Sequence, residues 1–151
     1  MTNPPPILLV EDDPDDAFLT RRALEKAGVL LRVTHVPDGD EAIKYLSGQP
    51  PYEDRNIHPM PALVLLDLKM PKMGGFDVLT WMQTQPELTG LSVVVLTGSI
   101  HPKDVANAKK LGAAGYQVKP VQFSALVDII ERVASDHGPS STSGSDIPSS
   151  S

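Results

Sequence analysis

The chain has 151 residues, no cysteine, and 19 acidic against 13 basic side chains, which give a net charge of -6. The length suits one domain, and the lack of cysteine excludes disulfides, Cys-ligated zinc and a thiol nucleophile. The acidic balance argues against a nucleic-acid partner, which would favour a basic surface. The apolar runs are too short to span a bilayer, and residues 1–6 do not resemble a secretory signal. We therefore expect a cytoplasmic protein with no membrane partner.

Three apolar runs predict buried strands, at residues 7–10, 62–66 and 91–96. Nearly continuous apolar runs, without alternation, are typical of parallel strands that are covered on both faces. Two further strands, with less apolar sequences, are predicted at 32–36 and 116–118.

Helical patterns separate these strands. The first begins at Pro14, a residue suited to a first helical position, and ends near Gly28. The others are predicted at 40–46, 75–84, 102–111 and after residue 120, with Pro86 ending the third and Gly112 closing the fourth. The predicted core stripe is Leu19, Ala23, Leu24 and Ala27 in the first helix, and Phe123, Leu126, Val127, Ile130 and Val133 in the last.

This strand–helix alternation predicts an α/β fold, a doubly wound parallel sheet with helices on both faces, because right-handed crossovers leave few other solutions. We place the folded domain at residues 6–135, after a short extension at 1–5. A proline-rich stretch at 48–61 is interpreted as an extended surface loop. The serine-rich segment 136–151 is predicted to be a flexible tail.

The functional groups of such a sheet collect at the carboxyl ends of its strands. Glu11, Asp12 and Asp13 follow the first strand and Asp67 follows the third, while Thr97 and Lys119 end the fourth and fifth. Any one of these residues has an ordinary structural explanation, such as a helix cap or a solvated charge. Their placement at the ends of four strands predicts a site. Asp15 and Asp16, by contrast, are interpreted as helix N-terminal acids favoured by the helix dipole.

Clustered carboxylates need a compensating charge, and hard oxygen ligands suit Mg²⁺. A carboxylate beside a magnesium ion, a hydroxyl and an ammonium can attack phosphorus in line. Asp67 follows the most apolar strand, so we predict that it is the nucleophile.

The chain resembles the receiver domain of bacterial two-component response regulators. The resemblance rests on ILLVEDD at 7–13, LVLLDLKMPKMGG at 63–75, VVLTGS at 94–99 and GAAGYQVKPV at 112–121. It implies a flavodoxin-like fold of five strands in the order 2-1-3-4-5. It also implies phosphoryl transfer from a histidine kinase to Asp67, in a signalling protein and not an enzyme.

The same resemblance implies the roles of individual residues. Mg²⁺, with Mn²⁺ as a substitute, would be held by Asp12, Asp67 and the backbone carbonyl of Lys69, with Glu11 acting through water. Thr97 and Tyr116 would form a conformational switch, and Lys119 would contact the phosphoryl group. The side chains of Lys69 and Ser99 would tune the phosphate lifetime, and the Lys119–Pro120 peptide bond would be cis.

The long 48–61 loop, and the absence of an output domain in this sequence, resemble small stand-alone regulators paired with phytochrome-type histidine kinases. Such a protein signals through its own surface, to a downstream protein or phosphotransfer partner. We predict a homodimer through the face made by the fourth helix, fifth strand and fifth helix. Ile129 is expected to widen the apolar stripe of that last helix at the surface.

Three other functions compete. A haloacid-dehalogenase-like, magnesium-dependent phosphatase also uses an aspartyl nucleophile, but it needs a second Asp where Lys69 stands. A flavodoxin would bind flavin phosphate after the first strand, where Glu11 to Asp16 would repel it. A docking-only receiver would lack Asp67, Asp12 or Lys119, and all three are present.

Overall fold

Five parallel strands form one sheet in the order β2-β1-β3-β4-β5. The computed structural model describes residues 5–26, 32–70, 73–98, 101–119 and 122–137. The strands are β1 (Ile7–Val10), β2 (Val33–Val36), β3 (Leu63–Asp67), β4 (Ser92–Thr97) and β5 (Gly115–Val118). The helices are α1 (Pro14–Lys26), α2 (Gly39–Ser47), α3 (Gly75–Gln83), α4 (Pro102–Lys110) and α5 (Phe123–His137), with a 3-10 turn at Pro86–Leu88. The predicted α/β class and strand order are confirmed.

Successive strand residues point to opposite faces of the sheet, and each face has its own core. Ile7 and Leu9 of β1 pack with α1 and α5, whereas Leu8 and Val10 pack with α2, α3 and α4. The sheet is therefore covered on both faces, as the continuous apolar runs indicated.

The predicted stripe of α1 is confirmed at Leu24 and wrong at Leu19. Leu19 is 56% exposed, and the residues that α1 buries are Ala17, Thr20 and Leu24. Apolar periodicity could not predict which face of α1 is buried, because one of the three buried positions carries a polar threonine. Ala23 packs at the edge of the core, and Ala27 and Gly28 lie outside the described residues.

The role predicted for Ile129 is also wrong. Its side chain is 2% exposed and packs with Leu126 against β1, β3 and β4. These two residues are three positions apart and share one helical face, so α5 turns Ile129 into the core. Val127 is only half-buried, and the side chains of Phe123, Ile130 and Val133 lie outside the described part.

The 48–61 loop is held against α2 by Arg55. Its Nη1 donates to the carbonyl oxygens of Tyr45 (2.8 Å) and His58 (3.1 Å), and its Nη2 donates to that of Leu46 (3.1 Å). Carbonyls in the last turn of a helix lack partners within the helix, so the guanidinium caps the end of α2. Gly48 ends the same helix in the left-handed conformation, at φ 73°.

Helix α5 continues to His137, two residues into the segment predicted as tail. Residues 138–151 lie outside the described part of the chain. None of the described helices combines the length and the apolar character that crossing a membrane requires.

Candidate functional site

The predicted site residues meet at the carboxyl edge of the sheet. Glu11 follows β1, Asp67 and Thr97 are the last residues of β3 and β4, and Lys119 follows β5. The register pairs Val10 with Leu66, Asp67 with Leu96, and Thr97 with Val118, so the strands end almost level. Backbone hydrogen bonds extend the ladder beyond the strands, from Glu11 N to Val36 O (3.1 Å) and from Lys119 N to Thr97 O (2.8 Å). Level strand ends therefore bring these groups together.

These strand ends form the floor of an open pocket of about 800 Å³. Its walls include Asp12, Asp16 and Leu19 on the β1–α1 side, and Lys69 and Gly98 on the other. The pocket is large enough to admit a phosphoryl group.

Three carboxylates make a candidate metal centre. Glu11, Asp12 and Asp67 each place an oxygen within 4.8 Å of the others. Glu11 and Asp67 are buried and Asp12 is exposed, so an ion here would contact both protein and water. Oε1 of Glu11 is buried, and the Lys119 ammonium lies 2.6 Å from it. Three converging carboxylates carry more negative charge than one ammonium can offset, and their hard oxygens suit a divalent cation. The residues therefore fit a magnesium-type ion.

Lys119 compensates part of this negative charge. Its Nζ lies 2.6 Å from Glu11 Oε1, 2.9 Å from Asp16 Oδ2 and 3.5 Å from Asp67 Oδ2. The contact with Asp16 is an aligned hydrogen bond, and the contact with Glu11 is a short ion pair. Burial would lower the pKa of Lys119, but Glu11, Asp16 and Asp67 outweigh it and raise that pKa.

The two buried carboxylates hold their protons more tightly than usual. Burial raises the pKa of Glu11 from 4.5 to about 7, against the opposing effect of Lys119. Burial also raises the pKa of Asp67, with Lys119 again opposing. A cation bound between them would favour the charged form of both groups.

The predicted switch residues lie on neighbouring strands. Thr97 is fully buried at the end of β4. Tyr116 is half-buried in β5, in register with Val95, and packs against the core on the α2–α4 side. Ser99 and the Lys119–Pro120 bond lie outside the described residues.

Lys69 belongs to the site through its backbone more than through its side chain. Its N–H donates to Asp67 Oδ1 at 3.4 Å. Its side chain is 69% exposed, and its Nζ lies 3.9 Å from Asp104 Oδ2 on α4. The side chain thus extends toward α4.

Sequence reasoning missed two residues that act on this site. Asp16 was assigned to the helix dipole, yet it binds Lys119. Helical side chains point back toward the N-terminus, so an acid in the first turn of α1 could have been expected to reach the strand ends. His35 of β2 donates from Nε2 to the carbonyl oxygen of Glu11 at 2.7 Å and fixes that backbone. Nothing in the sequence pattern pointed to it.

Gly75, the first residue of α3, lets that helix approach the site closely. A Cβ on Gly75 would lie 2.5 Å from the carbonyl oxygen of Asp67 and 2.9 Å from Leu68 Cα. The N–H of Gly75 donates to the carbonyl oxygen of Leu68 at 3.0 Å. Glycine is therefore required here by space.

Residues 7–131 match the family described as the response regulator receiver domain. The chain is 34% identical to response regulator Rcp1 of Synechocystis sp. over 135 residues, which cover 89% of this chain and 90% of Rcp1. It is similar to the solved bacteriophytochrome response regulator AtBRR, with a TM-score of 0.77 and 39% identity over 87% of this chain and 94% of AtBRR. It is also similar to the Mn²⁺-bound form of Rcp1, with a TM-score of 0.71 and 33% identity over 87% of this chain and 93% of that one.

Proposed function

The chain belongs to the response regulator receiver domains, and from this premise we propose that it accepts a phosphoryl group on Asp67 from a histidine kinase. The observation that carries the proposal is the position of the Asp67 carboxylate. It is buried at the floor of an open pocket, shares a potential cation with Glu11 and Asp12, and has the Lys119 ammonium 3.5 Å from Oδ2.

The reaction is a transfer between two protein side chains. A carboxylate oxygen of Asp67 attacks the phosphorus of a phosphohistidine, the P–N bond breaks, and the freed imidazole nitrogen takes a proton from water. The product is an acyl phosphate on Asp67. Lys119 would offset charge on the phosphoryl oxygens, in the manner common to phosphoryl-transfer sites.

We assign the cation site to Glu11, Asp12 and Asp67, with the backbone carbonyl of Lys69 as a further ligand. Bound Mg²⁺ would neutralise charge on the phosphoryl oxygens during transfer. The convergence of three carboxylate oxygens within 4.8 Å of one another supports this assignment. Mn²⁺ is expected to substitute, since the similar Rcp1 was solved in a Mn²⁺-bound form.

Phosphorylation would be transmitted through Thr97 and Tyr116. New phosphate oxygens at Asp67 can accept a hydrogen bond from the Thr97 hydroxyl and draw the end of β4 inward. The Tyr116 ring, on the neighbouring strand, would then rotate into the space that Thr97 leaves. The side chains of Lys69 and Ser99 would tune the phosphate lifetime by flanking the attacking water.

We further propose that the kinase is of the phytochrome type and that this receiver domain signals in the cytoplasm, either by binding a downstream protein or by forming a homodimer. Similarity to the bacteriophytochrome regulator AtBRR supports the choice of kinase. Val118, 41% exposed on β5, supports an interface on the α4–β5–α5 face in place of Ile129.

Intact-mass measurement tests the proposal directly. The chain is incubated with a small acyl phosphate and Mg²⁺, in parallel with Asp67→Asn and with a chelator. One phosphoryl adduct is expected on the parent alone, and an unmodified parent would overturn the proposal. Turnover of a phosphate monoester, in place of the acyl phosphate, would instead indicate a haloacid-dehalogenase-like phosphatase.

A further inference from the structure

The Lys119 ammonium group has a partner outside the candidate metal centre. Two of its three carboxylate neighbours, Glu11 and Asp67, belong to that centre. The third, Asp16, comes from the first turn of α1 and accepts the aligned hydrogen bond at 2.9 Å. Lys119 is 16% exposed and Asp16 is 37% exposed, so the contact lies at the inner edge of the pocket and not on the open surface.

We infer that Asp16 is a positioning residue: it draws the Lys119 ammonium toward α1, and so leaves Glu11 and Asp67 to the divalent cation. The inference rests on the proposed function for its metal site. Once the divalent cation is bound, the Asp16 carboxylate is the anion that holds the Lys119 ammonium.

The physical reason is competition between two cations for the same oxygens. Glu11 Oε1 lies 2.6 Å from Lys119 and also belongs to the three-carboxylate cluster. An ion at that cluster and an ammonium on the same oxygen would repel each other strongly at such a distance. Asp16 gives Lys119 a charged acceptor that is not part of the cluster. The ammonium can then withdraw from Glu11 without losing its hydrogen bond.

Without Asp16, the charged partners of Lys119 that remain among these contacts are Glu11 and Asp67. The ammonium would hold these oxygens more firmly, and cation binding would have to break that contact without compensation. Removal of Asp16 should therefore weaken cation binding through Lys119, beyond the loss of one negative charge.

Asp15 provides a matched control. It lies one residue earlier in the same turn of α1 and is exposed, and its backbone N–H donates to Asp13 Oδ1. Asp15→Asn removes the same unit charge from the same helix end, and among the ion pairs of Lys119 within the described residues only the one with Asp16 involves α1. The difference between Asp16→Asn and Asp15→Asn therefore isolates the contact with the ammonium.

The experiment is titration calorimetry of Mg²⁺ on the unphosphorylated full chain, for the parent, Asp16→Asn, Asp15→Asn, and each of these in a Lys119→Met background. Asp16→Asn should raise the Mg²⁺ dissociation constant about three- to tenfold more than Asp15→Asn does. This difference between the two substitutions should vanish in the Lys119→Met background. The ammonium ¹⁵N resonance of Lys119 should shift in Asp16→Asn and not in Asp15→Asn, which gives a readout that does not require the Lys119→Met chain to fold.

Equal effects of the two asparagine substitutions on Mg²⁺ affinity would overturn the inference. So would an excess that persists in the Lys119→Met background. Neither result would bear on the proposal that Asp67 accepts a phosphoryl group. A parent that binds Mg²⁺ with the expected pattern but takes no phosphoryl group would instead refute the proposed function and support the role of Asp16.

Discussion

Oδ2 of Asp67 and the ammonium nitrogen of Lys119 lie 3.5 Å apart, although Asp67 ends β3 and Lys119 follows β5, with β4 between them. The lysine side chain therefore crosses the end of a strand to reach the carboxylates. When no divalent ion is bound, the Lys119 ammonium limits the repulsion between the Glu11 and Asp67 carboxylates in the geometry described here.

Lys119→Met should destabilise the metal-free protein. Removing one partner of a buried ion pair leaves uncompensated charge, which costs about 3 kcal/mol or somewhat less where water can enter. Chemical denaturation in a chelator would measure this loss, and added Mg²⁺ should restore part of it. Lys69→Met, at a side chain that is 69% exposed, is the control and should change the free energy of unfolding by less than about 0.5 kcal/mol. Equal effects of the two substitutions would contradict this account of Lys119.

Stability of the metal-free protein should depend on pH through Glu11. Its pKa is about 7 in the folded state, above the ordinary 4.5, because of burial. A raised carboxyl pKa contributes stability that is complete below the unfolded pKa and is lost as pH rises through the folded pKa. The free energy of unfolding of the parent, relative to Glu11→Gln, should therefore fall between pH 4.5 and about 7. Parallel pH curves for the two proteins would refute this.

Two glycines at the site should respond oppositely to alanine. A Cβ at Gly75 meets the Asp67 carbonyl oxygen at 2.5 Å, whereas one at Gly98 has nothing within 4 Å. Gly75→Ala should cost more than about 2 kcal/mol and weaken Mg²⁺ binding, because α3 must move away from Asp67. Gly98→Ala should be neutral or stabilise by about 0.5 kcal/mol, through reduced freedom of the unfolded chain. Thermal unfolding and calorimetry would check both predictions. Loss of stability in Gly98→Ala would contradict the open space found around Gly98.

Arg55→Met should destabilise the chain without affecting phosphorylation. The guanidinium satisfies the carbonyls of Tyr45, Leu46 and His58, at the edge of the sheet opposite the pocket. Hydrogen bonds from a charged donor are worth about 1.5–3 kcal/mol in such a setting. Arg22→Met, at a residue in an exposed ion pair with Glu25, is the matched control and should cost far less. Loss of phosphoryl uptake in a folded Arg55→Met chain would contradict the separation of the two regions.

Self-association, if it uses the α4–β5–α5 face, should depend on Val118. Val118→Thr keeps the shape of this 41% exposed side chain but makes it polar, and a twofold interface would feel the change twice. Sedimentation velocity of the phosphorylated chain should show weaker dimerisation. Ile129→Glu is unsuitable for this test, because a carboxylate at a core position should unfold the protein. A parent that remains monomeric at high concentration, whether phosphorylated or not, would refute the proposed homodimer.

The sequence predicted the fold well because the three central strands, β1, β3 and β4, are apolar on both faces. That pattern marks a covered parallel sheet, and strand ends in such a sheet necessarily share an edge, so the meeting of Glu11, Asp67, Thr97 and Lys119 followed from topology. The roles assigned to Thr97, Tyr116 and Ser99 stay predictions.

Side-chain orientation was harder to predict. Thr20 occupies a buried position of α1, so apolar periodicity pointed to Leu19 instead. In α5 many apolar residues cluster, and their spacing alone did not distinguish Val127 from Ile129 as the core residue. Asp16 was misjudged because its partner is 103 residues away. Contacts over such a separation depend on tertiary placement, which local patterns do not contain.

The most direct test of the central claim is to locate the phosphoryl group. The phosphorylated chain is reduced with borohydride, which converts an acyl phosphate of aspartate to homoserine, and the peptide that contains β3 is sequenced by mass spectrometry. We predict homoserine at position 67, dependent on Mg²⁺ during phosphorylation and absent from Asp67→Asn. Conversion at Asp12 or Asp13, or a phosphorylated chain with an intact Asp67, would contradict the account.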